Sequence, residues 1–125
     1  MALIRQGDVN IVTTGTKRWD GSIVGEVPAA AVSAESPIIA RGEFSGHCHA
    51  LRKPAAEPGG LMAHGETLWI DARGRVEIDH TYETQVGADA PQRAEHHVIS
   101  LPAGTSGQIL IEREYEPEGF RYAQD

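Results

Sequence analysis

The stretch RVEIDHTYETQV, residues 75–86, decides the fold class. Val76, Ile78, His80 and Tyr82 fall on one side of an extended chain, and Glu77, Asp79, Thr81 and Glu83 on the other. A period of two is the pattern of a strand with one buried face. A helix would scatter the same residues around its circumference. The spacing predicts a strand here, entered from a hairpin turn at Ala72-Arg73-Gly74.

The same grammar recurs on either side. Upstream, Thr67–Asp71 (TLWID) forms the other arm of that hairpin. Downstream, GADAPQR (residues 87–93) reads as a loop. In the next strand His97, Ile99 and Leu101 share a face, and Pro102-Ala103-Gly104 ends it. In the last strand, residues 108–116, Ile109, Ile111, Arg113 and Tyr115 alternate with Leu110, Glu112 and Glu114. Toward the N-terminus, strands are predicted over 9–13 (VNIVT), 22–27 and 37–44, where Pro37 opens the strand. Only residues 29–35 (AAAVSAE) offer a helical turn or two, which Pro37 would stop. Roughly eight strands spaced by turns predict a single all-β domain over residues 1–125, a β-sandwich or small β-barrel.

Composition agrees and narrows the function classes. A chain of 125 residues is one domain in size and buries enough surface to need no disulfide staple. Its one cysteine, Cys48, has no internal partner, which fits a reducing compartment. The start MALIRQGDV has no long apolar run, so no signal peptide is expected, and no apolar segment is long enough to span a bilayer as a helix. These features point to a cytoplasmic protein, or part of an assembly built there, with no membrane partner. The formal charge is −7, and no basic cluster stands out; Lys17-Arg18 and Arg52-Lys53 are only pairs. Capture of nucleic acid needs clustered cations, so it is not expected; divalent cations suit this field better. No P-loop, dinucleotide fingerprint, G-x-S-x-G or H-E-x-x-H is present.

What remains is histidine. The chain carries six, and His47 and His49 flank Cys48 just after Gly46. On an extended chain both imidazoles point to one side and the thiol to the other. Two rings so placed can grip one side of a metal ion, and a third ligand must come from another strand. His96 or His97 is the natural candidate, at the start of a predicted strand; His64, His80 and Glu95 are further options, and Glu95 could instead serve as an acid or base beside the site. Imidazole donors suit Zn, Fe, Ni or Cu. Three protein ligands with an open position would give a catalytic style of centre, and four a structural one. The competing reading is a histidine-bearing turn and, for His80 beside Ile78, a hydrogen-bonded core residue. Arg5, Gln6 and Asp8 around Gly7 read as a turn that docks a hydrogen-bond network. Arg113, inward by pattern, would need a carboxylate such as Asp8 or Glu114.

The segment GEFSGHCH resembles the first cupin motif, a glycine followed by H-x-H on a barrel strand. That resemblance implies a metal held by His47 and His49. The glutamate and second-motif glycine of cupins are replaced: Lys53 or Pro54 stands near the first position and Arg93 at the second. More of the chain resembles a family of small uncharacterised proteins of bacteria and their phages. The matching residues are Arg5, Gln6, Gly7, Asp8, Gly46, His47, His49, Glu95, His96, Pro102, Gly104, Arg113, Glu114 and Tyr115. This second resemblance implies an all-β fold, favours His96 as the functional histidine, and assigns no activity. Three functions are expected in turn: a transition-metal site made by His47, His49 and His96; a structural part of a homo-oligomer or of a phage or bacterial particle; and a small-ligand module using the barrel mouth.

Overall fold

The computed structural model describes residues 3–41, 46–54, 59–88 and 98–111 in full, and 113–116 and 119–122 as backbone. Twelve strands carry the described chain: β1 (Leu3–Gln6), β2 (Val9–Thr13), β3 (Val32–Ser33), β4 (Ile38–Arg41), β5 (His47–Arg52), β6 (Gly59–His64), β7 (Thr67–Ala72), β8 (Val76–Tyr82), β9 (Ile99–Leu101), β10 (Ser106–Ile111), β11 (Arg113–Glu116) and β12 (Gly119–Tyr122). The only helical element among the described residues is a 3-10 turn, Glu83–Gln85. The fold is all-β, as the alternation predicts, and no helix is long and apolar enough to cross a membrane among the described residues.

The strands form two antiparallel sheets. The first runs β1-β2-β10-β7-β6-β3 and the second β4-β5-β8-β9, with β11 and β12 paired as a separate hairpin. Their inner faces make one core from Val9, Ile11 and Ile109 of β2 and β10, Leu61 and Ile70 of β6 and β7, and Leu51, Val76, Ile78 and Leu101 of the second sheet. Val76, Ile78 and His80 of the decisive stretch are buried on the inner face, as its period predicts, but Asp79 and Thr81 on the other face are buried as well.

A second, smaller cluster sits on the other face of the first sheet. Val12 and Trp69 point outward there, and Val24 and Val27 from the loop after β2 fold over them. That loop is where the strand predicted over 22–27 dissolves into one isolated bridge, Lys17 to Ile23. The helical turn predicted over 29–35 is not formed either. Val32 and Ser33 pair with Ala63 and Met62 at the edge of the first sheet, and Ala34 N–H donates to the Leu61 carbonyl. A free sheet edge offers hydrogen bonds that outweigh the helix propensity of the alanines, which counts for little in so short a segment.

Two glycines set the shape of the first sheet. Gln6 pairs with Val9, so Gly7 and Asp8 alone close the β1–β2 hairpin. Gly7 has φ 58° and no non-glycine residue among those described has a positive φ, the pattern of a II′ turn with glycine at its first central position. At the other end, Gly107 lies so close to β2 that an added Cβ would meet the Val12 carbonyl oxygen at 2.4 Å. Only glycine lets β10 approach β2 there.

Candidate functional site

Strand alternation builds the site. On β5, His47, His49 and Leu51 point inward while Cys48 and Ala50 point outward; on β8, His80 and Tyr82 point inward with Ile78. The register sets His49 opposite His80 and His47 opposite Tyr82. Three imidazoles and a phenol therefore share one face. The rings of His49 and His80 stack at 4.4 Å with an interplanar angle of 21°. His47 meets His80 edge-on at 5.8 Å and Tyr82 edge-on at 4.8 Å. His47 and Tyr82 are half-buried, whereas His49 and His80 are wholly buried. The cluster thus leads from a partly open rim into the interior.

The opposite wall comes from the first sheet. Ile4 and Gln6 face inward by alternation along β1, and the tight Gly7 turn swings Asp8 back over the same end. Gln6 Nε2 donates to the Ile78 carbonyl oxygen at 2.9 Å, and Gln6 Oε1 lies 2.8 Å from His49 Nδ1. Asp8 Oδ1 lies 3.2 Å from His49 Nε2, with the carboxylate side chain only 3% exposed. That contact is not aligned as a hydrogen bond, and Asp8 Oδ1 receives no donor among the described residues. A buried carboxylate oxygen without a donor is costly and calls for a positive charge.

The structure places the sequence-derived residues unevenly. His47 and His49 share a face, as expected, and Cys48 is fully buried on the other side. His80 is a core histidine beside Ile78, stacked on His49. His64 is exposed at the end of β6 in the first sheet, away from this face of the second. His96, His97 and Glu95 lie outside the described residues, as do the side chains of Arg113, Glu114 and Tyr115. Among the described residues no three histidine, cysteine, aspartate or glutamate side chains converge on one point. Near-parallel rings set side by side aim their nitrogens along separate planes, so His49 and His80 do not grip one ion as they stand.

The residues that the sequence undervalued are Gln6 and Asp8. Their role as a docked hydrogen-bonding turn was legible, because Gly7 marks the hairpin and Gln6 alternates with Ile4. That Asp8 would face a histidine from a strand about forty residues on was not; pairing across two sheets leaves no local spacing to read.

The outer face of the second sheet floors a cavity of about 1050 Å³, with Asp79 and Thr81 buried in it. Across that face Arg52 reaches Glu77 at 2.6 Å and Asp79 at 3.2 Å, and Arg75 donates to Ser100 Oγ at 2.8 Å. These pairs tie β5, β8 and β9 together across the sheet, which is a structural use. Compared with protein-family models, curated proteins and solved structures, the chain finds no match.

Proposed function

We propose that the protein binds a divalent transition metal at the cross-sheet junction of His49 and Asp8. One observation carries the reading. His49 Nε2 and Asp8 Oδ1 lie 3.2 Å apart, buried and not hydrogen-bonded to each other. Two ligand atoms each bound at about 2.1 Å to one ion, at an angle near 100°, stand about that far apart. Imidazole with carboxylate is a donor set for Zn, Fe or Ni, and Cu also accepts imidazole. His47 and His96, the other ligands expected from the sequence, are the candidates to complete the coordination, His47 from the same face of β5. With Cys48 turned away, the site is a nitrogen–oxygen one rather than a thiolate one. An ion with three protein ligands and an open position would act as a Lewis acid or activate bound water, with Glu95 as the proposed acid or base.

The test is metal analysis of the full chain purified without a histidine tag, followed by Zn titration. The reading expects about one ion per chain and its loss in His49→Ala and Asp8→Ala. His47→Ala and His96→Ala report which of those two completes the set. A wild-type protein that binds no Zn, Fe, Ni or Cu overturns it.

An assembly role is the alternative, favoured by one observation: Trp19 is 84% exposed at a turn that Arg18, Asp20 and Ser22 hold by mutual hydrogen bonds. A large apolar ring held out on a firm turn suits an interface anchor. Light scattering decides it: a defined oligomer dispersed by Trp19→Ser supports assembly, and a monomer sinks it.

A further inference from the structure

We infer that Gln6 is a positioning residue that sets the tautomer of His49 and thereby fixes which ring nitrogen is presented to the metal. The inference rests on the metal reading but has its own geometry. The Gln6 amide has only one sensible orientation. Its Nε2 donates to the Ile78 carbonyl at 2.9 Å; the flipped amide would set two oxygens against each other. Gln6 Oε1 is therefore the atom facing His49 Nδ1 at 2.8 Å, and an amide oxygen can only accept. Nδ1 must carry the hydrogen. In the neutral ring the lone pair then belongs to Nε2, the nitrogen on the Asp8 side.

The chain of contacts runs across the sandwich. Ile78 on β8 anchors the amide, the amide sits on β1, and the imidazole it orients sits on β5. Of these groups only the His49 ring would touch the proposed ion, so Gln6 acts through His49. A ligating histidine that donates its other N–H to a carbonyl is held in one ring orientation and made a better donor, and losing such a partner costs 10–100-fold in metal affinity.

The experiment uses the full chain with 15N-labelled histidine. In metal-free protein at a pH where the ring is neutral, long-range proton–nitrogen spectra should show His49 as the Nδ1–H form. Finding the Nε2–H form in wild-type protein overturns the role of Gln6, whatever the metal affinity. Zn titrations of wild type and Gln6→Leu should find the variant 10–100-fold weaker. Equal affinities in the two overturn the inference. If Gln6→Leu does not fold, the wild-type tautomer still decides. A wild-type protein in the Nδ1–H form that binds no metal overturns the metal reading and leaves the tautomer assignment standing.

Discussion

Asp8→Asn separates a metal site from an ordinary buried ion pair. The substitution keeps shape and volume and removes the charge of a side chain that is 3% exposed. At 3.2 Å a full charge pair with His49 would attract by about 5 kcal/mol at an effective dielectric of about 20, before any cost is counted. Burying the two charges costs several kcal/mol for each ion. The missing alignment supplies no hydrogen bond to tip the balance. The terms cancel, so chelator-treated Asp8→Asn should unfold in urea within about 1 kcal/mol of chelator-treated wild type. Zinc then splits them. At a free concentration of about 100 times Kd, a bound ion adds about 2.7 kcal/mol to the wild type and nothing to the variant. The reasoning fails if Asp8→Asn costs about 3–5 kcal/mol without metal, the penalty for breaking a buried pair, and zinc leaves the wild type unchanged.

Gln6→Leu removes two buried hydrogen bonds, one to the His49 ring and one to the Ile78 carbonyl, so it should cost about 2–4 kcal/mol in urea unfolding. Ile70→Ala, at a fully buried position in the shared core, should cost about 2–5 kcal/mol. Gly107→Ala forces a Cβ toward the Val12 carbonyl and should cost at least about 1–3 kcal/mol, read as a drop in Tm. At the surface, hydrogen bonds from the Ser22 hydroxyl and backbone hold the Asp20 carboxyl below its ordinary 3.8. A folded value below the unfolded one gives stability that is present above the unfolded value and lost as pH falls through the folded one. Ser22→Ala should therefore raise the Asp20 titration midpoint, followed by carboxyl carbon NMR, and an unmoved midpoint would remove the hydroxyl from the account.

The fold was legible wherever a residue's neighbours in sequence are also its neighbours across a pleat. Val76, Ile78 and His80 announce an inward face because alternation is a local property, and Gly7 and Gly104 announce turns for the same reason. The two-residue strand Val32–Ser33 was not legible, since only a partner edge at Met62 and Ala63 makes it a strand. Nor was β6, which opens on Gly59 and Gly60, residues that disfavour a strand and here pair with Ala72 and Asp71. For the site, the shared face of His47 and His49 follows from their spacing. His80 joins them only through the β5–β8 register, and Asp8 and Gln6 only through the packing of one sheet on the other. Long-range placement of that kind is written in the summed hydrophobic pattern of both sheets, not in any short motif.

The central claim is that one ion sits between a histidine of the second sheet and an aspartate of the first. An anomalous difference map at the Zn edge, from crystals of the untagged protein grown with Zn, tests it most directly. The account predicts a single strong buried peak about 2 Å from both His49 Nε2 and Asp8 Oδ1. A map with density only at the surface histidine His64, or with none at all, would contradict it.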